Sequence, residues 1–233
     1  MCTLIVAWRV FDGTPIVAAA NRDEALGRPS RSPSVLDRDP LVVAPQDEEA
    51  GGTWIGYNEH GLFVGVTNRS AEIDGDRSRG LLVRDALSHE SSADALGFVR
   101  DELAKRQYAG FNLFLADSDE ATILQWDGVL ETTPLDPGYH VVVNEGMDYD
   151  APKSKRILHA VLPDLGENGS VGEWRARVKT VLRDHDIGAC VHGDGYGTRS
   201  SSIVAIDSAG VGTYEFADGP PCETAYRSVE GHI

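Results

Sequence analysis

A chain of 233 residues with 37 acidic against 21 basic side chains carries a formal net charge of -16, and so lacks the basic footprint that nucleic-acid phosphates require. Hydrophobic residues at 41% with charged residues at 25% predict a soluble globular protein with a sizeable core, and the longest apolar runs fall far short of a membrane span. Three cysteines, Cys2, Cys190 and Cys222, without any CxxC spacing argue against a disulfide framework or a zinc motif.

Leu4 to Trp8 and Ile16 to Ala20 are short apolar runs around Asp12-Gly13, the pattern of a β-hairpin. The returning strand ends in the polar tetrad Asn21-Arg22-Asp23-Glu24, which the hairpin brings beside Cys2. Residues Ala25 to Ala50, punctuated by Pro29, Pro33, Pro40 and Pro45, read as an irregular surface excursion with one short strand at Leu41 to Ala44. Gly51 to Tyr57, a turn at Asn58 to Gly61, and Leu62 to Asn68 predict a second hairpin.

Leu81, Leu82, Val83, Ala86 and Leu87 give one short helix. Leu96, Val99 and Leu103 give the next, capped by Ser91 or Ser92. Phe111 to Ala116, Ala121 to Trp126, Val129 to Leu135 and His140 to Asn144 are separated by turn chemistry and predict an antiparallel meander. A helix starting at Asp150 before Pro152 should bury Ile157, Leu158, Val161 and Leu162. Another starts at the capping-box pair Ser170 and Glu173 and carries Trp174, Val178 and Val181. Gly-rich Gly188 to Gly197 then leads to strands at Ser202 to Asp207 and up to Phe216.

Runs of strands alternating with helix pairs predict an α+β fold in which two antiparallel sheets pack face to face, with a helix pair outside each. One domain over residues 1–233 is the simplest organisation. The opening run meets Arg9 too soon for a secretory signal, so a cytoplasmic location is expected. An acidic surface with Lys105, Lys153, Lys155 and Lys179 as its only lysines resembles those of proteins from salt-loving hosts.

The chemistry centres on Cys2. Removal of Met1 would leave a thiol and a free α-amine on one residue, with reference pKa values of about 8.5 and about 7.7 to 8.0, so that nucleophile and base are both near their working states. Arg22 would favour the thiolate, and Asp23 or Glu24 would hold the amine. Taken alone, Cys2 reads more readily as a small buried hydrophobe opening a core strand and the tetrad as a solvated loop; only their combination points to chemistry. Cys190 and Cys222 read as packing residues, His192 and Asp194 as loop residues with no partner at a metal-ligand spacing, and Trp54 and Trp174 as core.

Cys2, the tetrad, Gly52-Thr53-Trp54, the stretch Gly61 to Asn68, Ser78-Arg79-Gly80, Gly110-Phe111-Asn112-Leu113 and Gly197-Thr198-Arg199 together resemble the NRDE family, the transport and Golgi organisation protein 2 family. That resemblance implies a four-layer αββα fold of the N-terminal-nucleophile (Ntn) hydrolase type. By similarity to bile salt hydrolases and penicillin V acylases, it also implies Cys2 as nucleophile and Asn68 at an oxyanion position. Asn144 would be a side-chain amide donor, and Arg199 part of the charge network near the thiol. Asn21, Glu24 and Trp54 would line or support the site.

Two functions follow as expectations. One is a cofactor-independent hydrolase or acyltransferase acting on a small-molecule amide, or less readily a thioester. The other, implied by the family's connection with haem movement, is a binding or trafficking protein for an apolar ligand such as haem, although the sequence has no haem-attachment spacing.

Overall fold

The computed structural model describes residues 2–162 and 169–230. Two seven-stranded antiparallel sheets form its centre. The first runs β11 (Gly146–Met147), β10 (Gly138–Val143), β1 (Thr3–Phe11), β2 (Thr14–Ala25), β12 (Tyr196–Ile206), β13 (Gly212–Ala217) and β14 (Arg227–Ser228). The second runs in chain order through β3 (Ser30–Arg38), β4 (Leu41–Asp47), β5 (Ile55–Asn58), β6 (Phe63–Asn68), β7 (Phe111–Ala116), β8 (Ala121–Trp126) and β9 (Leu130–Pro134).

Side chains alternate across a strand, and here both faces of the central strands are covered, which is why β1 reads as a continuous apolar run. Leu4, Val6 and Trp8 point between the sheets, where they meet Ile55, Tyr57, Phe63 and Phe114. Ile5 and Ala7 point outward, against Ile157, Trp174 and Val178 of the helices α3 (Pro152–Val161) and α4 (Val171–Leu182). On the far side, Val64 and Leu113 of the second sheet pack on Leu82 and Val83 of α1 (Arg79–Ala86) and on Val99 of α2 (Ser92–Leu103). The result is the expected αββα layering. No helix of the described residues is long and apolar enough to cross a membrane.

Helix starts follow local chemistry. Ser78 and Ser91 accept from Gly80 and Asp94 backbone N–H groups, and Ser170 with Glu173 forms the expected reciprocal capping box. α3 is the exception, with Ala151 at its N-cap and Pro152 as its first residue, so Asp150 does not cap it. Leu162 sits at the C-cap and is only partly buried.

Three expectations are corrected. The excursion from Ala25 to Ala50 contains the edge hairpin of β3 and β4, whose register slips between Arg31 and Ser34 and again between Val35 and Asp37. Pro33 is tolerated on β3 because an edge strand needs donors on one side only. The meander ends at β9, since β10 crosses to the other sheet and pairs with β1, Thr3 opposite Val143. β12 begins at Tyr196, inside the stretch read as a Gly-rich connection.

Candidate active site

The site lies where three strands of the first sheet end together. Thr3 pairs with Asn21 on β2 and with Val143 on β10, so Cys2 is level with Arg22 on one side and Asn144 on the other. The Cys2 backbone N–H donates to Asn144 Oδ1 at 2.8 Å, and its Sγ faces the Asp23 carbonyl at 3.9 Å. Met1 is outside the described residues.

Strand alternation divides the tetrad between two layers. Asn21 and Asp23 share the helix-facing side with Val17 and Ala19, whereas Arg22 and Glu24 share the inter-sheet side with Ala18 and Ala20. Buried Asn21 donates through Nδ2 to the carbonyls of Leu182 and Ala189, both at 2.8 Å, and so ties the end of α4 to β2. Asp23 Oδ1 accepts from the Thr198 hydroxyl at 2.6 Å. Burial pushes the Asp23 carboxyl up from 3.8 to about 6, against the pull of the Thr198 hydrogen bond and of Lys153.

Arg22 is nearly sealed, with its guanidinium 4.3 Å above the Trp54 ring and 3.6 Å from Asp47 and 3.9 Å from Glu24. Burial lowers its pKa while Glu24 and Asp47 raise it. Asp47 also accepts from Arg28 Nε at 2.7 Å, and although burial works against ionisation, this bond and the N–H groups of Ala50 and Glu49 hold its carboxyl below the ordinary value. Cys2 is a partly exposed residue whose thiol is pushed up by burial first and by the Asp23 carboxylate second, with Arg22 acting in the opposite sense. Burial and that carboxylate both act against ionisation of the sulfur, so attack by it calls for a base.

Cys2, Arg22, Asp23, Glu24, Trp54 and Asn68 all line one open pocket of about 100 Å³. Asn144 reaches it through the Cys2 N–H. Asn21 supports it from behind. Arg199 is not among its lining residues; it is the extra residue of a bulge, between Thr198 opposite Asp23 and Ser200 opposite Arg22, and its buried Nε has no hydrogen-bond partner among the described residues.

Sequence reasoning missed four supporting groups. Arg79 projects from the first turn of α1 into the pocket wall and donates to the Gly110 carbonyl at 2.8 Å. Gly52 lets that wall close, since a Cβ there would lie 2.2 Å from the Gly80 carbonyl carbon. Asn112 donates to the Val143 carbonyl at 2.9 Å and to the Thr67 hydroxyl at 3.1 Å, fixing the strand end that carries Asn144 against the one that carries Asn68. Lys153, at the start of α3, is buried with no hydrogen-bond partner for Nζ among the described residues, and burial lowers its pKa against the pull of Asp23, Glu145 and Cys2. Arg79, Gly52 and Asn112 lie in motifs visible in the sequence; nothing marks Lys153.

Away from the pocket, Cys190 and Cys222 are more than packing residues. Their sulfurs are 3.5 Å apart, and His192 Nε2 approaches both. A spacing search misses the set because Cys222 is distant in sequence.

A sequence model described as Transport and Golgi organisation 2 matches residues 1–217. The Homo sapiens Transport and Golgi organization protein 2 homolog is 27% identical over 251 residues, covering 88% of this chain and 89% of that protein. Among solved structures, the Caenorhabditis elegans ortholog of N-acylethanolamine-hydrolyzing acid amidase is similar at a TM-score of 0.59 and 15% identity, over 87% of this chain and 92% of that one. Penicillin V acylase from Agrobacterium tumefaciens is similar at 0.55 and 15%, over 98% and 86%. These likenesses establish an Ntn-hydrolase-like fold, as the layering and strand order above also indicate.

Proposed function

This chain belongs to the Transport and Golgi organisation 2 family, and from that premise we propose that it is an N-terminal-cysteine hydrolase or acyltransferase acting on a small-molecule amide. Removal of Met1 converts the Cys2 N–H into an amine that can keep its hydrogen bond to Asn144 Oδ1. The amine takes the proton from Sγ, and the sulfur attacks the amide carbonyl. Asn144 Nδ2 and the Asn68 backbone N–H stabilise the oxyanion, each donor contributing on the order of a hundredfold in rate. As the C–N bond breaks, the amine returns the proton to the leaving nitrogen, and water or another acceptor nucleophile then cleaves the Cys2 thioester.

The observation that carries this reading is the Cys2 N–H held at 2.8 Å by a side-chain amide, with the residue lining an open pocket beside Arg22. A pocket walled by Arg22, Arg28 and Arg79 on one hand and by Asp23, Glu24 and Asp47 on the other suits the polar end of a substrate. The apolar-ligand alternative gains no support from it. The pocket contains no histidine, and its volume is below the roughly 300 Å³ at which sites for whole small molecules begin.

The test combines the intact mass of the mature chain with labelling by an acyl electrophile. A chain beginning at Cys2, acylated once and only there, is the expected result. A retained Met1, or equal acylation and turnover by Cys2→Ala, would overturn the proposal.

A further inference from the structure

The connection between α4 and β12 meets the segment after β13 at four side chains that line no part of the Cys2 pocket. His185, Cys190, His192 and Cys222 each present one ligand atom, and these atoms lie within 4.8 Å of one another. A zinc ion bound at about 2.3 Å by sulfur and about 2.0 to 2.1 Å by imidazole nitrogen has tetrahedral edges of roughly 3.3 to 3.8 Å. Of the six edges, three are 3.5 Å between the sulfurs, 3.1 Å from His192 Nε2 to Cys222 Sγ, and 3.8 Å from His192 Nε2 to Cys190 Sγ, and the three to His185 are no longer than 4.8 Å. The sulfurs are much farther apart than the roughly 2.05 Å of a disulfide, and both cysteines are free.

The surroundings are those of a built site. His185 Nδ1 lies 3.1 Å from the Cys190 carbonyl, which accepts from the protonated Nδ1 and leaves the Nε2 lone pair for a cation, the usual second bond of a metal-ligating imidazole. The two imidazole centroids are 5.0 Å apart. The loop is pinned independently of any ligand. Asp184 O accepts from the N–H groups of both Ala189 and Cys190, and Val191 exchanges bonds with Thr198 through its N–H and its carbonyl. Cys222 sits in a turn closed by Thr224 N–H on the Pro220 carbonyl.

We propose that His185, Cys190, His192 and Cys222 form a tetrahedral site for zinc, which ties the segment after β13 to the α4–β12 connection. Two sulfurs and two imidazoles select zinc over the hard cations, and four protein ligands close the site to catalysis. On binding, the two Sγ–H bonds lose their protons to solvent, so a dication, two thiolates and two neutral imidazoles give a neutral centre. The clamp sits behind the tetrad, since the Ala189 carbonyl receives Asn21 and the Thr198 hydroxyl bonds Asp23.

The experiment uses the full chain, reduced and stripped with a chelator, then titrated with Zn²⁺ against a chromophoric competitor and separately with Co²⁺. One ion per chain is expected, with two protons released and a melting temperature that rises with zinc. Cobalt should give the intense visible bands of tetrahedral coordination together with thiolate charge transfer. Cys222→Ser and His192→Ala, both at solvent-accessible positions, should each weaken binding by at least about 100-fold, the upper end of the effect of losing an outer-shell partner. Cys2→Ala should bind zinc like the unaltered chain, which separates this site from the proposed hydrolase. Substoichiometric binding, an octahedral cobalt spectrum, unaltered affinity in both variants, or a Cys190–Cys222 disulfide that zinc does not displace under reducing conditions would overturn the assignment.

Discussion

Replacing Asp23 with asparagine is expected to remove a pH dependence from the stability of this protein. Asp23 is 1% exposed, and burial moves its carboxyl from 3.8 to about 6. Between those values the native state holds a proton that the unfolded chain has released, so unfolding becomes easier as pH rises. At about 1.4 kcal/mol per pH unit the full effect is about 3 kcal/mol, absent well below pH 4, developed between about pH 4 and 7, and complete above about pH 7. The side-chain amide of the variant keeps an oxygen for the Thr198 hydroxyl and carries no charge, so Asp23→Asn should match the unaltered chain near pH 4. By pH 7 it should be the more stable of the two by about 2 to 3 kcal/mol. Urea denaturation of both proteins at each pH, in the same salt, gives the difference directly, and the titration of every other carboxylate cancels in it. A difference that stays flat from pH 4 to 7, or that moves in favour of Asp23 as pH rises, would refute the reasoning.

Asn21→Ala leaves the carbonyls of Leu182 and Ala189 without their side-chain donor and should cost about 2 to 4 kcal/mol, read from the shift in urea midpoint at constant slope. Gly52→Ala forces a methyl to within 2.2 Å of the Gly80 carbonyl carbon, where both partners are backbone, and should cost about 1 to 3 kcal/mol or more by the same measurement. Arg22→Leu removes one of the cations that oppose burial at Cys2, so the inflection of iodoacetamide alkylation against pH should move upward; an unmoved inflection would show that the guanidinium does not act on the sulfur. Asn144→Ala should slow acylation of a chain beginning at Cys2 by about a hundredfold at unchanged fold, as judged by circular dichroism and single-turnover kinetics.

Most of the layering was legible in the residues, because local patterning carries it. The Asp12-Gly13 turn between apolar runs, the Ser170 and Glu173 cap, and helix pairs between strand runs each state a preference that the fold honours. The elements that escaped, β3, β11 and β14, lie at sheet edges, where one neighbour supplies the pairing, and two of them are only two residues long. The departure of β10 from the meander was invisible for a different reason. A strand buried on both faces carries no mark of which sheet it joins.

The same division holds at the sites. The adjacency of Cys2 and the tetrad was legible from the hairpin alone, since an antiparallel turn must bring the start of one strand beside the end of the next. The two-residue period of a strand also decided that Arg22 and Asp23 face different layers. Only the tertiary structure decided that Asn144 holds the Cys2 N–H, that Arg79 and not Arg199 lines the pocket, and that Lys153 is buried facing Asp23. It alone gathered His185, Cys190, His192 and Cys222 at one point. Those contacts join residues far apart along the chain, and the pattern of a sequence fixes directions within an element but not the partner that packing of separate elements brings against it.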